Sequence, residues 1–368
     1  MNNGSVSQPS KRYHRQKLIL SLVSTALGWT YLLVLVLTPL AAWLVGATQV
    51  GGHPYFHFLL FSLAAGVLAQ SYALPLSFTS GYWIEHRYGL SNQTLGAWSW
   101  ERVKGALVGA MITLPLALVF YYCLRRFGVG WWLPVGGALL LFSVVLGRLA
   151  PVFIFPLFYR FEPLAADHPL TGRIRDLAQS VGLDIQGIYR FNLSKTTKKA
   201  NAAFTGLGRA KRVLLADTLL DNFTDDEILA VVAHELGHFR LRHIWIGMAQ
   251  GTAITFIGMY GVAQLHGRLS GGEVTNLTTL PWLALLMGVY GFVTGPLSNA
   301  LSRRHEFAAD RYSAELMGDG AALAAGLDRL AELNLADRDP HPAVELLFHS
   351  HPSIKRRVAV LGEGQVSA

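Results

Sequence analysis

LILSLVSTALGWTYLLVLVLTPLAAWLVGATQVGGHPYFHFLLFSLAAGVLAQSYALPLSFTSGYWI, residues 18–84, contains no Asp, Glu, Lys or Arg. Gly51-Gly52-His53-Pro54 breaks it as a turn does. Each half exceeds the roughly 20 apolar residues that cross a hydrocarbon core, so two membrane spans are predicted. A basic stretch, Lys11, Arg12, Arg15 and Lys17, precedes the first. That first apolar run is too long for a signal-peptide core and has no persuasive cleavage site before the next span. It reads as a retained anchor.

The rest of the chain agrees. Of 368 residues 52% are hydrophobic and only 15% charged, and the mean hydropathy is positive, as in polytopic membrane proteins. Further spans are predicted at about Gly105–Leu124, Trp131–Ile154, Ile244–Leu265 and Leu280–Leu301, six in all. The run of span four resumes after Arg148 as far as Tyr159, either as one long helix or as a helix and an interfacial segment. With the N-terminus inside, 27 Lys and Arg fall on the cytoplasmic side. Only Arg125, Arg126 and Arg268 fall opposite, and Arg148 lies within span four, near enough to its end to snorkel. Such a bias sets orientation and puts both polar segments, 155–242 and 302–368, in the cytoplasm. The net charge of +8 is thus topological, and nucleic-acid binding is not expected. Cys123, the one cysteine, sits in an apolar run, which leaves no disulfide framework and no thiolate metal site.

Four segments follow: a membrane region 1–154, a cytoplasmic insert 155–242, spans five and six over 243–301, and a cytoplasmic tail 302–368. The insert reads as a small folded α+β unit. Leu170, Ile174, Leu177, Ala178 and Val181 recur at helical spacing, with Gly182 placed to end that helix. Ile188–Phe191, Ala202–Thr205 and Val213–Ala216 read as strands, the last two joined by a turn at Gly206-Leu207-Gly208. Thr224-Asp225-Asp226-Glu227 is a capping-box sequence. The helix it starts carries His234-Glu235-Leu236-Gly237-His238.

Positions four apart lie on one helix face, about 6 Å apart along the axis, so His234 and His238 can aim two imidazoles at one zinc. Glu235 can take the proton of a zinc-activated water and pass it to the leaving amine. A surface helix with two chance histidines is the bland alternative; the capping box and the adjacent span argue against it. A hydrolytic zinc needs a third protein ligand. Just after span six come Arg303-Arg304-His305-Glu306-Phe307-Ala308-Ala309-Asp310, with Glu306 and Asp310 one turn apart. Glu306 suits the third ligand and Asp310 suits an acceptor for the free N–H of a ligand histidine. Alone, these acids read as partners of Arg303, Arg304 or Arg311 on a solvated face. His305, the rival ligand, points about 100° from Glu306 on a helix.

Taken together, the motifs resemble the CAAX prenyl protease type 1 family of integral-membrane zinc metalloproteases. The resemblance runs from about Gly81 to Arg357. It rests on Glu85 to Ser91, Pro156 to Tyr159, Asn201 to Gly206, Asp217 to Leu220, Ala233 to His238, Arg303 to Asp310, and His351-Pro352. It implies His234, His238 and Glu306 as ligands of one zinc ion per chain, with Glu235 as general base. It also implies Asn201 and Ala202 lining the substrate cleft and His351 near the substrate. An exposed strand edge at Ala202–Thr205 could pair with an extended peptide. Asn201 could hold a substrate amide or cap the backbone, and His351 could support the oxyanion or cap a helix near Pro352. The family fold is a ring of helices around a chamber. Its eukaryotic members usually have seven spans with the N-terminus on the far side, against six here with it inside.

The expectation is a mostly α, polytopic membrane bundle bearing a cytoplasmic zinc-metalloprotease insert. It would act on peptides or membrane proteins, prenylated ones included, in a lipid bilayer. Short loops and absent targeting tracts suit a bacterial inner membrane. The competing reading is a scaffold or transporter with a structural zinc, but a transporter should carry ionisable residues at mid-membrane, and a structural zinc normally has four protein ligands.

Overall fold

The computed structural model describes residues 8–205 and 211–363; the predicted turn at Gly206-Leu207-Gly208 lies outside them. Among these residues, five helical runs are long and apolar enough to cross a membrane: Gln8–Leu37, Pro54–Arg87, Leu95–Phe158, His243–Ser270 and Leu277–Met317. The third run contains two helices. A tight turn, Gly128–Trp131, separates Leu95–Phe127 from Trp132–Leu149. Gly128 has φ 51°, a conformation that favours glycine, and Trp131 folds back onto Phe120 at 5.6 Å between ring centroids. Six long helices therefore stand where six spans were predicted.

The long helices are α1 (Gln8–Leu37), α3 (Pro54–Phe78), α4 (Leu95–Phe127), α5 (Trp132–Leu149), α8 (His243–Ser270) and α9 (Leu280–Met317), with α2 (Leu40–Ala47) a short connector. The basic stretch before span one is not a separate tail, since it forms the first turns of α1. Beyond α5 the helix continues through a π-turn at Ala150–Ile154 to Phe158, where the π geometry absorbs the missing N–H of Pro151. Span four is thus one long helix, and the predicted boundary at 154 falls inside it.

Side chains close these helices into a ring. Tyr31 of α1 donates to the Ala65 carbonyl of α3 (2.6 Å), and Phe58 of α3 stacks on Tyr121 of α4 at 4.3 Å. Trp132 of α5 meets Tyr260 of α8 edge-on. Tyr290 of α9 donates to the Ile254 carbonyl of α8 (2.7 Å), and Phe292 returns to Trp29 of α1. Leu63, Leu107, Met111, Leu141 and Val293 are exposed, as suits helices bathed in hydrocarbon rather than water.

Between α5 and α8 lies the insert: β1 (Phe161–Pro163), α6 (Pro169–Ser180), β2 (Gly187–Phe191), β3 (Ala202–Thr205), β4 (Arg212–Ala216) and α7 (Asp225–Arg240). The sheet order is β1-β2-β4-β3, with β2 and β4 parallel and both outer pairs antiparallel. Strand β1 was not anticipated. It has three residues and ends on Pro163, which an edge strand tolerates. Ile174, Ile188, Val213, Leu215, Ile228 and Leu236 form one core that joins the sheet to α6 and α7. Among the described residues strand β3 pairs only with β4, which leaves its other edge without a strand partner. After α9 come α10 (Ala321–Leu333), α11 (Pro342–Phe348) and α12 (Ile354–Glu363).

Candidate active site

Helix α7 starts at the predicted capping box: Thr224 N–H donates to the Glu227 carboxylate (2.8 Å) and Glu227 N–H to the Thr224 hydroxyl (3.3 Å). These bonds satisfy two orphan donors of the first turn. The buried face of α7 packs on α9 with small residues at the crossing. Ser313 Oγ donates to the Ala230 carbonyl (2.8 Å). A Cβ on Gly237 would lie 3.1 Å from Ala309 Cα and 3.2 Å from Ala309 O. This close approach brings His234 and His238 of α7 against Glu306 and Asp310 of α9.

The two Nε2 atoms lie 3.1 Å apart. Glu306 Oε2 is 3.5 Å from His234 Nε2, and Glu306 Oε1 is 3.3 Å from His238 Nε2. Tetrahedral bonds of about 2.0–2.1 Å put ligand atoms roughly 3.3 Å apart. The three pairs of residues approach to near such an edge, Glu306 through a different oxygen for each histidine, and two imidazole nitrogens with a carboxylate suit zinc, so they fit a metal. His305 does not join them; its ring stacks on His243 at 4.2 Å.

Asp310, fully buried, accepts from His234 Nδ1 (2.9 Å). The predicted solvated-face partners play no part: Arg303 turns to the carbonyls of Glu345 and His349. Instead Arg357 of α12 grips Asp310 through two bonds (2.8 and 2.6 Å) and lies 3.5 Å from Glu306. Arg357 was missed in the sequence, where nothing links it to a residue 47 positions away. His243 was also passed over, and its Nδ1 lies 3.0 Å from His238 Nδ1.

Glu235 lies between two cavities. One, of about 540 Å³, runs along α8 and α9 past Gly247, Ile254 and Leu301. The other, of about 730 Å³, is lined by Asn201, Ala202, His351 and Arg357. His351 Nε2 is 3.5 Å from Glu306 Oε1, and Nδ1 is 3.0 Å from Ser350 Oγ. The Asn201 carbonyl accepts from Ala216 N–H (3.1 Å), and its side chain is exposed on the cavity wall. Every predicted site residue therefore lies at this centre or along its two cavities.

Burial raises the Glu235 carboxyl above its ordinary pKa, against the lowering effect of the nearby histidines. Burial alone would lower His234, but its bonds to Asp310 and Glu306 push it up to about 9 in the metal-free protein.

Residues 165–364 match the family model described as peptidase family M48, and residues 4–160 match one described as CAAX prenyl protease N-terminal, five membrane helices. The metalloprotease YhfN of Bacillus subtilis is 31% identical over 366 residues, which is 95% of this chain and 84% of that protein. CAAX prenyl protease 1 of Saccharomyces cerevisiae is 28% identical over 312 residues, 78% of this chain and 68% of that one. The crystal structure of S. mikatae Ste24p superposes with a TM-score of 0.84 at 26% identity, covering 96% of this chain and 87% of that one. These relationships set aside the scaffold and transporter readings. The chain belongs to peptidase family M48, as a multi-pass membrane metalloendopeptidase that carries the CAAX prenyl protease N-terminal region.

Proposed function

We propose that the metal is zinc, one ion per chain, held by His234, His238 and Glu306, and that the enzyme cuts extended polypeptides at the cytoplasmic face of a bacterial inner membrane. The convergence of those three donors, at the spacing of a tetrahedral site on two interlocked helices, carries this reading. Zinc bound there supplies a Lewis acid that acidifies water and polarises a peptide carbonyl. Glu235 takes the proton of the attacking water on its carboxylate and delivers it to the leaving amine nitrogen, while hydroxide adds to the carbonyl carbon. Burial raises its pKa above that of a free carboxylate, the direction that helps a carboxylate hold and then release a proton. Asp310 holds the His234 ring through Nδ1. His351 donates to the oxyanion as it forms. The open edge of Ala202–Thr205 pairs with the substrate backbone, and Asn201 engages a substrate amide.

The charge bias supports the cytoplasmic orientation, and the four segments 1–154, 155–242, 243–301 and 302–368 remain our functional division of the chain. The substrate class we propose is membrane-delivered polypeptide, including prenylated tails, in keeping with the likeness to CAAX prenyl protease 1 of Saccharomyces cerevisiae. Purified protein should cleave a casein-like or a prenylated peptide only with zinc, and Glu235→Ala should abolish cleavage while retaining metal. Wild-type cleavage by Glu235→Ala would remove the proposed base. Full zinc occupancy in Glu306→Ala would remove that ligand.

A further inference from the structure

We propose that His243 is a positioning residue for the metal centre: its unprotonated Nδ1 accepts the Nδ1–H of His238 and so fixes the tautomer and ring orientation in which His238 presents Nε2. This rests on the zinc reading above. Ligation through Nε2 leaves the His238 proton on Nδ1, and a ligand histidine ordinarily donates that proton to a fixed acceptor. For His234 the acceptor is the Asp310 carboxylate. For His238, the one group bonded to Nδ1 among the described residues is His243 Nδ1, at 3.0 Å. Two nitrogens in contact require one to be protonated and the other not, so the proton of His243 sits on its Nε2.

The backbone is shaped to make this contact. Helix α7 closes with Leu241 N–H on the Gly237 carbonyl and Arg242 N–H on the Phe239 carbonyl. Arg242 then takes φ 58° and ψ 29°, the left-handed region that glycine enters freely and L-residues other than asparagine and aspartate seldom do. Trp245 N–H returns to the Arg242 carbonyl (3.0 Å) to start α8. This corner turns His243 back toward His238, and the ring is buried. His305, next to the ligand Glu306, stacks on it with the planes 11° apart. The imidazole is therefore held on two sides, by a ligand and by the neighbour of a ligand.

Zinc affinity, measured by chelator competition on His243→Asn and His243→Leu, tests the assignment. The two replacements share a shape, but only Asn carries an acceptor, Oδ1, at the position of Nδ1. The Leu variant should bind zinc roughly 10- to 100-fold more weakly, the usual effect of losing such a partner, and the Asn variant should stay within about threefold of the parent. His243→Phe, which keeps the stack on His305, should behave as Leu does. Metal-free thermal midpoints establish that each variant is folded, and if Leu does not fold, Phe against Asn decides on the same readout. Parental affinity in the Leu or Phe variant overturns the assignment. Parallel His234→Ala and Glu306→Ala variants separate the two readings. If they retain parental affinity, the metal centre is elsewhere and the His243 assignment falls with it. If they lose zinc while the Leu variant does not, only the assignment of His243 falls.

Discussion

Gly237→Ala places one methyl group at the α7–α9 crossing. Its Cβ would sit 3.1 Å from Ala309 Cα, 3.2 Å from Ala309 O and 3.2 Å from Tyr312 Cβ. Carbon atoms at rest keep about 3.5–4.0 Å, and two of the three neighbours are backbone that cannot rotate away. The helices must separate by roughly 0.5 Å, and overpacking of this kind costs about 1–3 kcal/mol. Alanine returns up to about 1 kcal/mol in a helix interior, so the net loss of global stability should be about 0–2 kcal/mol. The metal centre has no such compensation, because the separation falls between its ligands. The Glu306 oxygens, now 3.3 and 3.5 Å from the histidine nitrogens, move further from the roughly 3.3 Å of a tetrahedral edge. If most of the strain appears there, zinc affinity falls by about tenfold or more, at about 1.4 kcal/mol per tenfold. Chelator competition on the detergent-solubilised protein measures this, beside a thermal melt of the metal-free form. Parental zinc affinity with an unshifted melt would refute the claim that the close helix crossing sets the ligand geometry.

Arg357→Ala strips a fully buried Asp310 of its two-bond partner, which should destabilise the protein by about 3–5 kcal/mol and lower its thermal midpoint with and without metal. Metal-free His234 is protonated up to about pH 9, so zinc must displace a proton. Apparent affinity should climb about tenfold per pH unit from 7 and level off near 9, and titration calorimetry would show proton release below that point. The same raised pKa stabilises the metal-free fold fully below the ordinary histidine pKa, and that stability is lost as pH rises through about 9. Its melting temperature should decline over that window unless zinc is bound. Thr224→Ala removes a capping acceptor from α7 and should cost about 1 kcal/mol in a denaturant melt, with zinc stoichiometry unchanged.

The membrane helices were legible because long apolar runs have few alternative readings. The insert strands were legible because Val213 to Ala216 is a short apolar run and Ile188 to Phe191 sets apolar and aromatic residues around a single exposed Arg190. The first strand was not, because Phe161-Glu162-Pro163 carries no pattern and forms only by pairing with Gly187–Phe191. Glu306 and Asp310 could be found because they share a helix face with each other and a chemical need with His234 and His238. Arg357 could not be found that way, since only the tertiary fold brings α12 over α9. His243 was lost for a different reason. Five residues beyond His238 on an unbroken helix, it would point about 140° away; the left-handed Arg242 turns it back, and nothing in an arginine announces that conformation. The boundary drawn at Leu301 is real in composition but not in structure, because α9 runs unbroken from Leu280 to Met317.

That unbroken helix constrains what the enzyme can cut. The apolar run of α9 ends at Leu301 and Glu306 follows five residues later, so at a rise of 1.5 Å per residue the metal centre lies at most about 8 Å along the axis from it. On the other side of the site, α8 carries Ile244 and Trp245, both exposed, within two turns of His238. The helix that carries Glu306 and the helix that follows the two histidines thus both turn apolar almost at once, and the headgroup layer is itself roughly 5–8 Å deep on each face. On this placement the scissile bond would be hydrolysed within the interfacial layer rather than out in bulk water. A folded soluble domain has no short route to that depth. On the proposed reading, a segment that already partitions into the bilayer, or is anchored to it within a few residues of the cleavage point, would reach it while extended along the edge of Ala202–Thr205. On the proposed reading, substrate choice would be set first by how deeply a chain sits in the membrane and only afterwards by the side chains that meet the two cavities.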